Sequence, residues 1–377
     1  MKIVIASDSY KGCCSSLEIG SAIETGIRRV FPDADIVTMA VADGGEGTVD
    51  ALVNGRSGIF RTVTVQGPVD ETVDARYGII NSTTAIIEMA AASGLPLVHP
   101  EKKNPLYTTT YGTGQLIKDA LDCGCKKIIL GIGGSATNDG GAGMAQALGV
   151  RFLDSQNRSI GKGAIHLDSI KTIDMSGLDT RIPECQVIGL CDVSNPLTGD
   201  NGASFIYARQ KGAKEEDLPL LDKVLSHFAQ CIEDQLGIDV KSIPGAGAAG
   251  GLAAGLIAFC NGSLHKGIDT ILKLVDFEKE IRNADLVITG EGALDGQSIN
   301  GKVPVGVALT ASKYGIPVIA ITGTIGDRVD KVYNASITSV MSIINAPMSL
   351  DNAIQKYHVL AADASERLMR VIRIYKK

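Results

Sequence analysis

The sequence has few of the residues that mark several common protein classes. It contains no tryptophan, only 7 phenylalanines and 9 tyrosines, and 5 histidines among 377 residues. Its 36 lysines and arginines are outnumbered by 42 aspartates and glutamates, which gives a formal net charge of −6. Nucleic-acid-binding domains usually present a basic surface with stacking aromatic rings, so this composition argues against a nucleic-acid partner. The histidines form no cluster with metal-ligand spacing, and no G-x-S-x-G motif supports a nucleophilic hydrolase.

Long apolar runs are also missing, with one exception. Residues 243–260 carry no charge, but five are glycine and six are alanine, so the segment gains little free energy from a lipid environment. We expect a closely packed helical segment there and no membrane contact. The eight cysteines show neither paired zinc-ligand spacing nor the density of a small disulfide-bonded domain. Because the chain begins directly on an apolar strand without a charged leader, we expect a cytoplasmic protein with reduced thiols.

Short apolar segments alternate with helical patterns along the chain, which is typical of α/β proteins with parallel sheets. The predicted strands are residues 3–6, 36–42, 127–130, 186–191, 285–289 and 317–322. The predicted helices include residues 17–30, 115–121, 306–313 and 353–374. Residues 60–65 and 72–80 instead alternate apolar and polar side chains around Gly67-Pro68, which predicts an antiparallel hairpin.

This pattern predicts two domains. Residues 284–377 return to the rhythm of the first 57 residues, so we expect both chain ends to form one doubly wound parallel domain, flavodoxin-like or Rossmann-like. Residues 58–283 then form a second, inserted α/β domain with a mixed sheet.

Polar loops rich in glycine follow the predicted strands, and glycine is abundant, with 44 residues. These loops are residues 7–12, 43–48, 131–143, 192–196 and 290–296. Ligands of open parallel sheets bind beyond the carboxyl ends of the strands. Carboxylates placed there are costly unless they are solvated, paired or bound to a metal ion. The loops therefore predict a ligand site.

The loop at 131–143 has the composition of a phosphate-binding loop. Its backbone N–H groups, with a predicted helix beginning near Gly140, would form a positive concavity, and Ser135, Thr137 and Asn138 would add donors. The alternative is a glycine-rich turn in which Asn and Asp only cap the helix. Residues 244–251 are similarly open to two interpretations, close backbone packing or a second approach to a nucleotide.

Two standard nucleotide motifs fit only in part. Residues 131–136 match G-x-G-x-x-G/A, and Asp154 follows at a suitable distance, which would indicate an NAD-dependent hydroxy-acid dehydrogenase. Residues 138–141 lengthen the turn where that helix should begin. Residues 296–302 match G-x-x-x-x-G-K, but Val303 stands where a P-loop needs Ser or Thr, so we reject a P-loop and retain Lys302 as a phosphate contact.

The remaining set is a phosphate-binding loop, carboxylates at strand ends and loop lysines without a covalent nucleophile, which favours phosphoryl transfer. Together the loops resemble the type I (bacterial) glycerate kinase family. The matching stretches are DSYKG (8–12), ADGGEGT (42–48), GGSATNDGGAG (133–143), CDV (191–193), NPL (195–197), QKGA (210–213), PGAGAAGG (244–251), TGEG (289–292) with Asp295, and GKVP (301–304). The family commonly has Phe at Tyr10, and Ser or Thr followed by Leu at Cys13-Cys14.

The resemblance implies ATP-dependent phosphorylation of D-glycerate to 2-phosphoglycerate with Mg²⁺, in an active site in the cleft between two domains. Formation of 3-phosphoglycerate is the nearest alternative, and a non-catalytic sensor of glycerate or ATP is a more distant one. A homodimer is considered as the assembly, although no residue pattern sets the oligomeric state.

Site roles are assigned as hypotheses on this basis. Either Asp192 or Asp295 is the general base, and the other, with Glu291, would hold Mg²⁺. Lys11 would neutralise the transferring phosphoryl group or the glycerate carboxylate. The candidates for binding ATP phosphates are Gly133, Gly134, Ser135, Thr137, Asn138, Asp139 and Lys302. The candidates for binding substrate are Asp8, Ser9, Asp43, Gly44, Gly45 and Glu46. Each acidic residue has a helix cap as its alternative role.

Overall fold

The computed structural model describes residues 1–296, 298–299 and 301–375. It divides into two compact units. The terminal unit comprises Met1–Asp43, Asp50–Arg56 and Gly267–Lys377, and the inserted unit comprises Gly44–Val49 and Ser57–Lys266.

The strands and helices are numbered in chain order. The strands are β1 (Lys2–Ile5), β2 (Asp35–Thr38), β3 (Ile59–Gln66), β4 (Thr72–Ile80), β5 (Thr84–Glu88), β6 (Lys127–Gly131), β7 (Arg151–Leu153), β8 (Thr172–Asp174), β9 (Gln186–Leu190), β10 (Ser263–His265), β11 (Leu286–Thr289), β12 (Ala293–Leu294), β13 (Val318–Thr322), β14 (Thr324–Ile325) and β15 (Ser339–Ser342). The helices are α1 (Ser16–Arg28), α2 (Thr48–Gly55), α3 (Ala90–Ser93), α4 (Tyr111–Asp122), α5 (Ala142–Ala147), α6 (Ala203–Tyr207), α7 (Leu218–Leu236), α8 (Leu252–Cys260), α9 (Gly267–Leu274), α10 (Phe277–Ile281), α11 (Val303–Ser312), α12 (Asp330–Tyr333), α13 (Leu350–Gln355) and α14 (Tyr357–Tyr375).

The main sheet of the terminal unit is parallel, with the order β2-β1-β11-β13-β15. Numbered within the unit this order is 2-1-3-4-5, which is the flavodoxin-like arrangement. The three central strands, β1, β11 and β13, are buried and rich in Ile and Val, as expected where helices cover both faces. The doubly wound α/β class predicted from the sequence is therefore confirmed.

Helix α1 shows how the sequence fixes one of these layers. Ser15 and Glu18 form a capping box at its start, in which the Ser15 N–H donates to Glu18 Oε2 over 2.8 Å. Ile19, Ile23 and Ile27 are buried on one face of the helix. On the same face Gly26 allows close contact with α14, since a Cβ at Gly26 would lie 1.9 Å from the Ala362 carbonyl oxygen.

The sheet of the inserted unit is mixed, with the order β10-β9-β6-β5-β4-β3. Strands β10, β9, β6 and β5 are parallel, and β5, β4 and β3 are antiparallel neighbours. The predicted hairpin is thus confirmed as β3 and β4. A second core in this unit contains the ring cluster of Phe152, Phe228 and Phe259, whose centroids lie 5.5–6.0 Å apart.

Three expectations differ in detail from the structure. The strand expected to reach residue 42 ends at Thr38. The single helix expected over 353–374 is two helices, because Lys356 leaves helical geometry with φ −106° and ψ 8°. The chain returns to the terminal unit at Gly267, earlier than the expected residue 284, since α9 and α10 pack against α11. No helix in the described part of the chain has the length and apolarity needed to cross a bilayer.

Candidate active site

A cavity lies at the carboxyl end of the parallel sheet in the terminal unit. Strands β1 and β11 are neighbours there. The next strand of the sheet after β1 is β2, which lies on one side of the pair, and the next after β11 is β13, which lies on the other side. Such a switch point leaves a crevice between the loops that leave the two strands. In this protein the loops border a cavity of about 560 Å³.

This cavity, the switch-point cavity, has a charged side and an apolar side. Its charged side brings together a subset of the residues predicted from the sequence, namely Asp8, Ser9, Lys11, Asp43, Glu291 and Lys302. Its apolar side is formed by Tyr10, Cys13, Ile343, Ile344, Leu350, Ala353, Ile354 and Tyr357. The sequence does not single out the residues from 343 to 357, because their apolar spacing is that of ordinary core residues.

Asp8 is buried near the start of the loop after β1, with 3% of its surface exposed. Burial raises the pKa of Asp8 to about 7, with repulsion from Asp43 acting in the same direction and Lys11 in the opposite one. The Ser9 N–H donates to Asp8 Oδ1 over 2.8 Å and so fixes the carboxyl group. A carboxyl group that titrates near neutral pH is suited to general base chemistry.

Lys11 and Asp43 form an ion pair at the mouth of the cavity. Lys11 Nζ lies 3.4 Å from Asp43 Oδ2, and the Lys11 side chain is 54% exposed. Such an exposed pair contributes little to stability, about 0–1 kcal/mol, so Lys11 can exchange its partner at low cost. It therefore places a positive charge where an anionic ligand could meet it.

Glu291 is held by partners from its own loop region. Ser298 Oγ donates to Glu291 Oε1 over 2.5 Å, and Lys302 Nζ donates to Oε2 over 3.0 Å. Burial raises the pKa of Glu291, and the two partners only partly offset this effect. Backbone hydrogen bonds between the short strands β12 and β14 fix the loop, including one of 2.9 Å from the Thr324 N–H to the Gly292 carbonyl.

Tyr10 explains why a departure from the family pattern is tolerated. Its ring is buried below the cavity, and its hydroxyl donates to the Ile321 carbonyl on β13 over 2.8 Å. Its backbone N–H donates to the Cys14 carbonyl over 3.0 Å. The tyrosine thus ties the Asp8–Lys11 loop to the central sheet with one more hydrogen bond than a phenylalanine would.

The two predicted general bases are placed differently. The Asp295 N–H donates to Ser298 Oγ over 3.2 Å, so this residue belongs to the loop that also carries Glu291. Asp295 is not among the described residues that line the switch-point cavity. Asp192 lies in the inserted unit, after β9, with its side chain exposed. Neither role is supported by the geometry of the cavity, and both stay predictions.

The predicted phosphate loop of the inserted unit is mostly buried. Gly133 and Gly134 are exposed, but Ser135, Thr137 and Asn138 are not. The buried Lys211 holds part of this loop in place. Its Nζ donates to Ser135 Oγ over 2.7 Å and to the Thr137 carbonyl over 2.8 Å. Burial lowers the pKa of Lys211 to about 7, although Asp139 opposes the shift.

The carboxylate of Asp139 is buried and accepts hydrogen bonds from groups near the start of α5, which favours the structural alternative that the sequence left open. Its Oδ2 accepts from the Thr110 N–H over 2.8 Å and from Thr110 Oγ1 over 2.9 Å, and it also accepts from the Gly143 N–H over 3.3 Å. Its Oδ1 accepts from the Gly141 N–H over 3.2 Å. Helix α5 begins at Ala142 instead of near Gly140, and these N–H groups are already occupied. The expected helix N-terminus is therefore not available as a phosphate site.

Two atoms of this loop remain unsatisfied. Within the described residues, Thr137 Oγ1 and Asn138 Oδ1 are buried without a hydrogen-bond partner. Asn138 Nδ2 donates to Ser204 Oγ over 3.1 Å, and this hydrogen bond sets which end of the amide is the nitrogen. The roles of Gly133, Gly134, Ser135, Thr137, Asn138 and Asp139 toward ATP stay predictions.

The glycine-rich segment 244–251 packs directly against this loop. The Gly140 N–H donates to the Gly250 carbonyl over 3.0 Å, and Gly250 has a φ of +66°. A Cβ at Gly250 would lie 2.0 Å from the Thr137 carbonyl oxygen. Of the two interpretations left open, close backbone packing is the one that the contacts favour.

The predicted substrate residues after Asp43 belong to the inserted unit. The Gly45 carbonyl accepts from Thr48 Oγ1 over 2.7 Å, which begins α2, and Glu46 is exposed. Gly44 is in close contact with β6, since a Cβ at Gly131 would lie 2.5 Å from the Gly44 carbonyl oxygen. Gly44 and Gly45 thus have structural roles, and the substrate roles of Gly44, Gly45 and Glu46 stay predictions.

The dinucleotide motif is excluded by the position of Asp154. Strand β7 pairs antiparallel with β8, outside the parallel sheet, so Asp154 does not end a strand beside β6. Its carboxylate instead closes a turn, accepting from the N–H groups of Gln156 over 2.8 Å and Arg158 over 3.0 Å. Of the rejected P-loop pattern, Gln297 and Asn300 lie outside the described residues.

A metal ion at this site would take some of its ligands from the phosphate groups of a bound substrate. Over residues 1–296, 298–299 and 301–375 there is no group of three His, Cys, Asp or Glu side chains arranged to hold an ion. Mg²⁺ is normally bound through one or two carboxylates together with substrate phosphates and water. Asp43 and Glu291 line the same cavity as Asp8 and both raise its pKa by charge repulsion, and a donor set of crowded carboxylates fits such a cation.

Comparison with known proteins identifies the family. The sequence profile of the glycerate kinase family matches residues 3–373. The chain is 50% identical over 367 residues to a glycerate kinase of Halalkalibacterium halodurans, covering 97% of each protein. It is also 50% identical over 375 residues to a glycerate 2-kinase of Escherichia coli K12, covering 99% of this chain and 98% of that protein.

A solved structure agrees with this result. The crystal structure of a putative glycerate kinase 2 from Salmonella typhimurium LT2 superposes with a TM-score of 0.93 at 45% identity, covering 100% of this chain and 99% of that one. The resemblance seen in the loop motifs is thus confirmed by sequence and by fold. The chain belongs to the glycerate kinase family.

Proposed function

We propose that this protein transfers the terminal phosphoryl group of ATP to the 2-hydroxyl of D-glycerate. The observation that carries the proposal is the switch-point cavity, whose lining joins the buried carboxyl group of Asp8 to the cations Lys11 and Lys302. Family membership supports the reaction class, and the name of the Escherichia coli relative, glycerate 2-kinase, supports the position of transfer. A dehydrogenase is not supported, because Asp154, the acidic residue of the dinucleotide motif, follows a strand that lies outside the parallel sheet.

The residues of the cavity supply what direct phosphoryl transfer needs. As the C2 oxygen of glycerate bonds to the γ-phosphorus, the bond from that phosphorus to the β,γ-bridging oxygen breaks, and the electron pair leaves with ADP. Asp8 accepts the hydroxyl proton. Lys11 and Lys302 neutralise the charge on the phosphoryl oxygens, a role suited to flexible ammonium groups.

Mg²⁺ has a defined place in this proposal. When bound, it would neutralise the phosphate oxygens of ATP, and Asp43 and Glu291 are the carboxylates in the cavity that would hold it. Asp192, the other ligand predicted from the sequence, lies in the inserted unit and stays a prediction. The homodimer likewise stays a prediction. The cytoplasmic location with reduced thiols also stays a prediction.

The first test is steady-state ADP release by purified protein with ATP and Mg²⁺. We expect release that depends on D-glycerate, with L-glycerate at least tenfold poorer as the stereochemical control. Enolase added to the products should form phosphoenolpyruvate without a mutase, because enolase acts on the 2-phosphate. A folded protein that releases ADP equally with or without D-glycerate would contradict the proposal.

A further inference from the structure

The switch-point cavity is larger than the acceptor substrate requires. Glycerate has only seven non-hydrogen atoms, so it needs roughly 200 Å³ at the ~30 Å³ that a water molecule occupies. The cavity holds about 560 Å³, within the range of about 300–1,000 Å³ for sites that enclose drug-sized ligands. Glycerate would therefore fill well under half of the cavity, which leaves room for part of a second ligand.

The chemistry of the cavity changes from one side to the other. The charged side carries Lys11, Lys302 and carboxylates. The apolar side contains Ile343, Ile344, Ala353 and Tyr357, which belong to one hydrophobic cluster, together with Leu350 and Ile354. Leu350 is 74% exposed at this edge, although leucine side chains gain free energy when covered. Glycerate bears an oxygen on every carbon, so it has no apolar surface to place there.

We propose that the apolar side of the switch-point cavity takes the base and ribose of ATP, with the phosphates directed to Lys11 and Lys302. A nucleoside triphosphate has a flat apolar end and a highly charged end, which matches the two sides of the cavity. Tyr357 offers an aromatic ring, and bases stack on such rings. This inference rests on the proposed function, and it assigns ATP to the terminal unit instead of the 133–139 loop.

The absence of tryptophan allows a direct binding test. In Leu350→Trp the only indole of the protein stands at the apolar edge, and in the control Val371→Trp it stands on α14 at a position that is 54% exposed and does not line the cavity. We expect a saturable fluorescence change with ADP in Leu350→Trp, none with D-glycerate, and none with ADP in the control. A response to D-glycerate alone, or no response to ADP, would overturn the inference.

Kinetics give a second, independent test. Tyr357→Ala removes the stacking surface and should raise KM for ATP roughly ten- to hundredfold, while KM for D-glycerate changes less than about threefold. Tyr357→Phe keeps the ring and should restore KM for ATP, which separates stacking from loss of folding. A rise confined to KM for D-glycerate would overturn the inference.

The two proposals fail in different ways. Protein that phosphorylates D-glycerate with an unchanged KM for ATP in Tyr357→Ala would contradict the nucleoside assignment and leave the proposed function in place. Protein whose Leu350→Trp variant responds to ADP, but which transfers no phosphoryl group to D-glycerate, would support the assignment and contradict the proposed function.

Discussion

Asp8 shows at the level of a single residue how position changes chemical role. In the sequence it is a substrate-binding candidate, one of several carboxylates after a strand. The structure buries it beside Asp43 and Glu291, and both neighbours add to the effect of burial in raising its pKa to about 7. No local sequence pattern predicts the raised pKa of Asp8, because Asp43 and Glu291 come from distant parts of the chain.

We predict that Asp8→Asn lowers kcat by a factor of about 10²–10⁴, the usual contribution of general acid–base catalysis. The amide keeps the size of the side chain but cannot accept the proton. In the unmodified protein kcat/KM should rise with pH through about 7, since only the ionised carboxylate is a base. Asp192→Asn and Asp295→Asn, assayed in parallel, test the two bases predicted from the sequence. A near-normal kcat for folded Asp8→Asn would contradict our assignment.

The same substitution should stabilise the protein at higher pH. The folded-state pKa of Asp8, about 7, lies above the ordinary value of 3.8, so ionisation opposes folding and its cost grows as pH rises from 3.8 to 7. Asp8→Asn removes this cost. We expect its free energy of unfolding to exceed that of the unmodified protein by up to a few kcal/mol at about pH 8, and by less at about pH 5. Urea denaturation at both pH values measures the difference, and a gain that shrinks with rising pH would be inconsistent with a raised pKa.

At the level of elements, the loop after β6 depends on two distant segments of the inserted unit. Lys211 holds the loop through Ser135 and the Thr137 carbonyl, and Gly250 contacts it from the segment before α8. The composition of the loop by itself predicts a phosphate site, because Lys211 lies 76 positions from Ser135 and nothing local reveals the contact.

We predict that Lys211→Met destabilises the protein more at about pH 10 than at about pH 7. The variant leaves Ser135 Oγ and the Thr137 carbonyl without their donor, which costs about 1–3 kcal/mol. In the unmodified protein the pKa of Lys211 falls from 10.5 to about 7 on folding. The free energy of unfolding of the unmodified protein therefore rises as the pH increases between those two values. The Lys211→Met variant has no such gain. Urea midpoints across this range provide the measurement, with equal losses at both pH values as the contradicting result.

Gly250→Ala should destabilise the inserted unit by about 3 kcal/mol or more. The substitution places a Cβ 2.0 Å from the Thr137 carbonyl oxygen at a φ of +66°. Gly237→Ala is the matched control, because Gly237 has a φ of +71° at the end of α7 but no atom near its absent Cβ. We expect that control to cost only about 1 kcal/mol. Similar losses in Tm for both variants would show that close packing of segment 244–251 is not important.

At the level of the whole molecule, the strands could be predicted well from the sequence and the site only in part. Buried parallel strands can be recognised in the sequence as runs rich in Ile and Val. The predicted bounds therefore agree with the structure to within a residue or two for β1, β6, β9, β11 and β13. The charged side of the cavity could also be predicted, since strand-end loops must meet at one edge of a parallel sheet.

The remaining features depend on contacts that no local pattern records. The break between α13 and α14 follows from the backbone of one residue, Lys356, in a helical pattern that runs on through it. The apolar side of the cavity consists of residues whose spacing is that of core residues, and the position of Asp139 in the sequence fits a ligand and a cap equally well. In each case the deciding contact is tertiary.

The measurement that tests the central claim most directly is ³¹P NMR of the products formed from ATP, Mg²⁺ and D-glycerate by the purified protein. The proposed function predicts ADP together with 2-phosphoglycerate as the phosphorylated acceptor, in equal amounts. Formation of 3-phosphoglycerate would contradict the assignment of the 2-hydroxyl, and the absence of any phosphoglycerate from folded protein would contradict the proposed function itself.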